Sequence, residues 1–379
     1  MTDKCLQVKP QEASMSTQTE RNINIELEVR IENSMLKNKV KLLQNEVDHL
    51  QTSSSLKLPN KQKSSVETSS EFTFDVIMKD KEKFKYYTGL TISQFMCLWE
   101  YLGPSKNKLV YWNSDCEYPD RSPTKRPGPK RKLEPKNELF MTLMRLRHGF
   151  LVEDLSYRFN VSTSMVSRII LTWVQFLYKR FLPLRSKMFP SRSHLRKFAP
   201  KSFKKYKNIR CIIDCTEVFV QQPRDFGKQG NCYSSYKGHT TYKFLVAIAP
   251  NGAIVFVSDA FEGSISDKDI VIKSGFLDHL ENGDVIMADR GFVIDDLLMT
   301  RGAKLVLPPF LGGRTKLSAQ EEASTKDIAK HRIHVERTIE RMKKFRILQK
   351  TIPLSLEPVF SQLIFVVGCL VNFQDPIVK

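Results

Sequence analysis

The sequence has little with which to build a zinc site or a membrane span. Its seven cysteines are scattered over 379 residues without a Cys-x2-Cys pair, and Cys211 and Cys215 share one predicted strand. This spacing excludes a zinc knuckle and a disulfide framework, so we expect reduced thiols. The longest apolar run, 363–371, is too short to cross a bilayer, and no signal peptide is evident. We therefore expect a soluble intracellular protein.

Acidic residues are missing from one long interval of the chain. Between Asp154 and Asp214 there is no Asp or Glu, whereas fourteen Lys or Arg fall there. The whole sequence carries 60 Lys plus Arg against 41 Asp plus Glu, a net charge of +19. Solubilising surfaces normally mix both signs, so this excess favours a polyanionic partner, above all nucleic acid. The interval predicts a phosphate-binding approach to the carboxylate at its end.

The N-terminal part predicts one helix between two polar segments. Residues 1–24 are polar and predicted to be disordered. Apolar residues in steps of seven, four and three predict a coiled-coil-like helix over 25–51, with Asn33 at a polar a position. Such a seam is typical of a parallel homodimer, although an ordinary amphipathic helix fits the pattern too. A Ser- and Gln-rich linker is predicted over 52–83.

Residues 84–136 predict a helical segment, capped by Thr91, and then a basic linker. The Pro-punctuated stretch at 121–132 is strongly basic. It fits a nuclear import signal, an arm for the DNA minor groove, or a solvated linker. We assign no chemistry to the helix before it.

The region 137–182 has the periodicity of three helices. A short helix over 152–159, a tight turn and a longer helix capped by Ser162 are the layout of a helix-turn-helix, although a plain three-helix bundle shows the same pattern. A basic connector is predicted over 183–207. In a helix-turn-helix the start of the third helix faces base edges, which predicts DNA contacts from Thr163, Ser164, Ser167 and Arg168.

From 208 to 376 strands alternate with helices, so the fold class is α/β. Asp214 interrupts an apolar strand, where an unpaired carboxylate is costly. A metal ion is one adequate partner, and a backbone amide or an Arg is another. A later strand delivers Asp289 at its C-terminal end, and a long basic helix carries Glu336 beside its apolar stripe.

The order of these elements matches an RNase H-like fold, in which the first and fourth strands are neighbours. Asp214 and Asp289 would then meet, and Glu336 would complete an oxygen-ligand site. Carboxylate ligands without His or Cys select Mg²⁺ or Mn²⁺ over Zn²⁺. Two such ions could activate a water or a 3′-hydroxyl for in-line displacement at phosphorus.

Five motifs then resemble, in order, those of DDE superfamily endonucleases, most closely the PIF/Harbinger-like transposases related to IS5-type enzymes. The resemblance covers roughly 84–376 and includes the helix-turn-helix. It implies that Asp214, Asp289 and Glu336 are the catalytic metal ligands and that the reaction is DNA cleavage and strand transfer. The motifs are Ile-Ile-Asp214-Cys-Thr-Glu217, Ser235-Tyr-Lys-Gly-His239, Gly263-Ser-Ile-Ser-Asp267, Met287-Ala-Asp289-Arg-Gly-Phe292 and His334-Val-Glu336-Arg337.

Other acidic residues near these motifs have competing interpretations. Glu340 lies one turn beyond Glu336 and could replace it as ligand, with Glu336 then paired to Arg332. Glu217 should face the other side of its strand from Asp214 and be structural or aid target recognition. Asp267 is predicted to cap a helix or to support the site.

Three basic residues are candidate DNA contacts. Lys237 and His239 fit phosphate or base contacts, although an ordinary surface loop explains them too. Arg290, beside the second carboxylate, fits a phosphate contact or an anchor for that carboxylate.

The sequence therefore predicts a nuclear, metal-dependent DNA transposase or a nuclease derived from one. Its partners would be double-stranded DNA, a second copy of the chain and an accessory DNA-binding protein. A DNA-binding protein that keeps the fold but no longer cuts is the first alternative. A metal-dependent RNase or exonuclease of the same fold is the second.

Overall fold

The computed structural model of the protein describes residues 72–111, 131–203, 205–206 and 208–378. The predictions for 1–24 and 25–51 lie outside these residues, as does nearly all of the basic stretch at 121–132. The chain divides into two units, of which one contains 1–67 with Phe95–Tyr101 and the other contains 68–94 with 102–379.

Residues 52–83 were predicted to form a linker, but short helices occupy the end of this range. The prediction is therefore wrong for its last residues. Two polar side chains explain where these helices begin, because Thr73 and Asp80 accept hydrogen bonds from backbone amides of the first turns. Phe84 stacks on Phe140 with ring centroids 5.8 Å apart, which ties this segment to the following helices. The helices are α1 (Phe74–Ile77), α2 (Lys81–Thr88) and α3 (Ile92–Tyr101).

Three helices form the predicted helix-turn-helix region. Asn160 ends the second helix in a left-handed conformation (φ 50°), and the Ser162 hydroxyl accepts from Met165 N at the start of the third. The indole of Trp173 donates to the buried carboxylate of Glu138 at 2.8 Å and joins the first helix to the third. The helices are α4 (Pro135–His148), α5 (Val152–Phe159) and α6 (Thr163–Phe181), and α7 (Arg192–Phe198) follows.

A seven-stranded sheet forms the centre of a mixed α/β fold. Its order is β2-β3-β1-β6-β7, with β4 and β5 also paired to β3. β1 pairs antiparallel with β3 and parallel with β6, which confirms the predicted adjacency of these strands. The strands are β1 (Ile209–Phe219), β2 (Tyr233–Ser234), β3 (His239–Ile248), β4 (Ile254–Val257), β5 (Phe261–Glu262), β6 (Val285–Met287) and β7 (Lys304–Val306).

Five helices follow β1 along the chain. The long basic helix starts at Ala319 because Ser318 and Glu321 form a capping box, and it ends at Lys343. Its predicted stripe is confirmed as buried, and the Thr338 hydroxyl lies 3.1 Å from Gly252 O in the β3–β4 turn. The helices are α8 (Phe226–Cys232), α9 (Asp267–Lys273), α10 (Asp295–Met299), α11 (Ala319–Lys343) and α12 (Phe360–Asn372).

One helical segment among the described residues has the composition of a membrane span. Residues 354–372 contain an 18-residue window with a mean hydropathy of 1.9, and 61% of this window is buried within the protein. α12 packs against β4 and α6, where a core helix of a soluble protein would lie. The five described cysteines are free thiols, as expected.

Candidate active site

Asp214 lies in the middle of β1, half-buried between apolar residues and opposite Val246 of β3. Burial raises the pKa of its carboxyl to about 6, although the Arg332 guanidinium and the Cys215 amide lower it. Glu336 and Asp267 raise the pKa further because they are negative and close. Of the two carboxylates predicted to share a metal with Asp214, Glu336 is therefore close enough to act on it.

Asp289 follows β6 by two residues and is exposed. Because Met287 is in register with Ile212 across the parallel β1–β6 pair, the end of β6 lies beside the part of β1 that carries Asp214. Asp289 Oδ1 accepts a hydrogen bond of 2.8 Å from Arg290 N, which orients the carboxylate.

Arg332 lies between the second and third acidic residues. Its Nη1 is 3.0 Å from Asp289 Oδ1 and its Nη2 is 3.8 Å from Glu336 Oε1. The Arg332 side chain is only 13% exposed, and its charge also acts on Asp214. One guanidinium thus serves as the counter-charge for all three acidic residues.

Glu340, the alternative third ligand, points elsewhere. Its carboxylate is 67% exposed and pairs with Lys344 at 3.2 Å. Glu340 is not among the charges that shift the pKa of Asp214, whereas Glu336 is. Glu336 shares the Arg332 guanidinium with Asp289, whereas Glu340 does not. The pairing of Glu336 with Arg332 is, however, also what the Glu340 alternative predicts, so the choice of third ligand stays a prediction.

The chemistry of the three carboxylates fits a divalent metal, because they offer only oxygen donors. Across the described ranges, however, no three His, Cys, Asp or Glu side chains are grouped closely enough to hold an ion. The Arg332 guanidinium lies between Asp289 and Glu336, where a cation would balance the same charges. We infer that Arg332 must move away before a metal can bind these residues.

Residues 213–372 match the family model described as DDE superfamily endonuclease. These residues form a DDE superfamily endonuclease domain. Residues 131–183 match the model described as the helix-turn-helix of DDE superfamily endonuclease and form that domain. Comparison with curated proteins and with solved structures gives no significant match.

Replacing Arg332 of the endonuclease domain with Gln is expected to tighten Mn²⁺ binding roughly tenfold, since a competing attraction of about 1.4 kcal/mol is removed. The melting temperature of the metal-free protein should fall by several degrees, because three acidic residues lose their counter-charge. Calorimetric titration with Mn²⁺ and thermal melting measure both effects. Arg301→Gln is the matched control, since Arg301 pairs with one exposed carboxylate, Asp278, at 2.7 Å. Unchanged or weaker Mn²⁺ binding by the Arg332 variant would contradict this role.

Lys343 is a site residue that the sequence analysis missed. Burial and the nearby Lys237 ammonium lower its pKa, whereas Glu217 and Asp214 raise it. A half-buried cation near Asp214 is suited to a phosphate oxygen. Its spacing was the available signal, because a residue seven positions after Glu336 lies on the same helical face.

The two remaining acidic candidates lie near a second cation, Lys243. Asp267 was predicted to cap a helix or to support the site. Capping is wrong, because the Ser266 hydroxyl caps α9. Asp267 instead pairs with Lys243 Nζ at 2.7 Å, and its support of the site stays a prediction. Glu217 is directly opposite Lys243 in the β1–β3 register and accepts from the Thr241 hydroxyl at 2.8 Å. These contacts give both carboxylates structural partners.

The helix-turn-helix domain presents the predicted DNA contacts at the start of α6. Thr163, Ser164 and Arg168 are exposed and Ser167 is half-buried. This is the part of a recognition helix that can reach base edges. Their roles as DNA contacts stay predictions.

The other predicted DNA contacts are spread over the endonuclease domain. Lys237 and His239 are exposed on the β2–β3 hairpin, and the His239 ring packs edge-on against Phe219 at 5.4 Å. Arg290 is half-buried next to Asp289, with a buried Nε that has no hydrogen-bond partner.

Several basic side chains of the acid-free interval form ion pairs that the sequence of the interval does not reveal. Arg210 is 3% exposed and pairs with the fully buried Asp284 at 3.6 Å, and Arg192 pairs with the same carboxylate at 3.3 Å. Further ion pairs are Arg158–Asp154, Arg185–Asp259 and Lys205–Asp327. For these five basic side chains, the predicted role in a phosphate-binding approach to Asp214 is therefore wrong.

Proposed function

We propose that this protein is a transposase-like DNA endonuclease whose RNase H-like catalytic domain uses Asp214, Asp289 and Glu336 as metal ligands. The grouping of Asp289 and Glu336 around Arg332, beside Asp214, is the observation that carries the proposal. This grouping falls inside the DDE superfamily endonuclease domain. The motifs favour a PIF/Harbinger-like subtype.

Each element of the site has a separate task in this mechanism. The three carboxylates hold the metal, expected as two Mg²⁺ or Mn²⁺ ions. The bound ions supply activation of a water or 3′-hydroxyl and stabilisation of the leaving oxygen. Lys343 binds a phosphate oxygen of the DNA strand beside Asp214. When Arg332 leaves the carboxylates, its guanidinium pairs with the DNA instead.

The remaining parts of the chain select and hold the DNA. The helix-turn-helix domain supports sequence-specific binding of double-stranded DNA. The predicted coiled-coil-like helix over 25–51 would pair two protomers, and an accessory DNA-binding protein could assist. The basic stretch at 121–132 supports nuclear localisation.

One observation favours a second function, sequence-specific DNA binding without cleavage. Arg332 pairs with Asp289 and Glu336, and such internal ion pairs would also suit a protein that keeps the fold but no longer cuts. The RNase alternative gains no such support, because it needs no helix-turn-helix. Selection of bound sequences from random DNA separates the RNase from both DNA-binding functions, since only they give a preferred site.

Cleavage is tested by nicking of supercoiled plasmid in Mg²⁺. Asp214→Ala should reduce the nicking rate at least about a hundredfold, because metal-ion catalysis supplies several kcal/mol. Binding to the selected site should be unchanged. Equal nicking by the variant and the parent protein would overturn the endonuclease proposal, and absence of nicking by the parent would favour the non-cleaving function.

A further inference from the structure

Three large aromatic rings are exposed on one short segment of the endonuclease domain. Phe226 at the start of α8 is 86% exposed, and Tyr233 and Tyr236 are 50% and 84% exposed. Burying a large ring is strongly favourable, so three exposed rings within one short segment of the chain point to a binding surface. We name residues 233–239, which contain two of these rings, the aromatic hairpin.

Hydrogen bonds define the turn of the aromatic hairpin. Tyr233 and Ser234 pair with Thr240 and His239. The turn is closed by Gly238 N, which donates to Ser234 O at 2.8 Å, and Gly238 has the left-handed φ of 65° that favours glycine. The Ser234 hydroxyl, itself buried, accepts from Lys237 N at 3.2 Å. The hydrogen bonds hold the backbone of the tip while the Tyr236 ring stays in solvent.

The tip combines a ring with a cation. Lys237 Nζ lies 4.5 Å from the centroid of the Tyr236 ring. A flat ring with an adjacent ammonium can receive a base on the ring and the neighbouring phosphate on the ammonium. This pairing is suited to nucleic acid rather than to an apolar protein surface.

The aromatic hairpin lies on the same pair of strands as Asp214. β3 continues from it along β1, and Phe219 of β1 contacts the His239 ring. Phe219 is five residues from Asp214, or about 17 Å along the strand. A DNA strand that runs along β1 from the carboxylates would therefore reach Tyr236 a few nucleotides away from Asp214.

We propose that Tyr236 stacks on an unpaired base of the DNA strand a few nucleotides from the phosphodiester that is cut, with Lys237 on the adjoining phosphate. The base must be unpaired because a duplex presents only base edges in its grooves, whereas the Tyr236 ring offers a face. The inference rests on the proposed endonuclease function for the place of the cut. It adds that the substrate is locally opened at this point.

The test measures binding in metal-free buffer, so that cleavage plays no part. 2-Aminopurine is placed at successive positions of a single-stranded overhang, and its fluorescence is followed as the full-length protein is added. We expect quenching at one position. Tyr236→Ala should abolish this quenching and weaken overhang binding roughly tenfold, whereas affinity for the blunt duplex of the same sequence should not change.

Two further variants make the result specific to the ring. Tyr236→Trp should keep both the quenching and the affinity, because it keeps an aromatic face. Phe198→Ala, which removes a ring that is 60% exposed on α7, is the control and should have no effect. Because Tyr236 is 84% exposed, its variants should melt at the parent temperature.

Two outcomes overturn the inference. One is overhang binding and quenching by Tyr236→Ala equal to those of the parent protein. The other is a loss of self-association in sedimentation experiments with unchanged DNA binding, which would assign the aromatic hairpin to a contact between copies of the chain. A failed endonuclease proposal shows separately, as plasmid nicking that survives Asp214→Ala.

Discussion

Glu336→Gln is expected to lower Mg²⁺-dependent plasmid nicking on the order of a thousandfold, whereas Glu340→Gln leaves it within about threefold of the parent rate. The two residues are one turn apart on α11, and both changes remove one negative charge. Glu336 shares Arg332 with Asp289 and acts on Asp214. Glu340 pairs only with the exposed Lys344 among the described ion pairs.

The comparison of these two variants also controls for folding. Neither carboxylate is buried, so both variant proteins should melt within a few degrees of the parent. Nicking rates at saturating DNA and binding to the selected site are measured for each. Strong loss of nicking in Glu340→Gln with retention in Glu336→Gln would reverse the assignment of the third ligand.

Asp284→Ala is expected to lower the melting temperature by about 10 °C. Asp284 is fully buried, and its removal leaves the guanidinium of Arg210, which is 3% exposed, without its nearest counter-charge. Breaking a buried pair in this way costs about 3–5 kcal/mol, and each kcal/mol corresponds to about 2–4 °C in a domain of this size. Asp284 also accepts from Glu281 N at 2.8 Å, so a backbone amide loses its partner too.

The matched control for this prediction is Asp278→Ala. Asp278 is 72% exposed and pairs with Arg301 at 2.7 Å, so the pair is shorter than that of Asp284 but solvated. Exposed ion pairs contribute about 0–1 kcal/mol, and the control should melt within about 3 °C of the parent. Equal, small shifts in both variants would show that the buried cluster around Asp284 adds no net stability.

Patterns among residues close in sequence predicted the helices and strands well. The α5 bounds, the Ser162 cap of α6 and the buried stripe of α11 follow from hydrophobic periodicity and capping preferences. The start of α11 could also be predicted from the sequence, since Ser318 and Glu321 have the spacing of a capping box. The order of strands and helices along the chain likewise predicted that β1 and β6 are neighbours.

Charge partners that are distant in sequence could not be predicted in this way. Arg210 meets Asp284, 74 residues further along the chain, so a count of acids within one interval could not detect the neutralisation. The position of Arg332 between Asp289 and Glu336 depends on how α11 lies across the end of β6. Sequence spacing predicted the contact of Arg332 with Glu336 but not the one with Asp289.

The hydrogen bond near Gly252 has a consequence for the rotational register of α11. Sliding an α-helix by one residue turns each side chain by 100° and shifts it by about 1.5 Å. Two contacts on the buried face oppose such a slip: Thr338 with Gly252 O, and the His331 ring with Ser202 O at 2.9 Å. Arg332, Glu336 and Lys343 lie roughly 100–160° around the same helix from these two residues. The alignment of the charged face is therefore fixed by buried residues that touch neither the carboxylates nor the DNA.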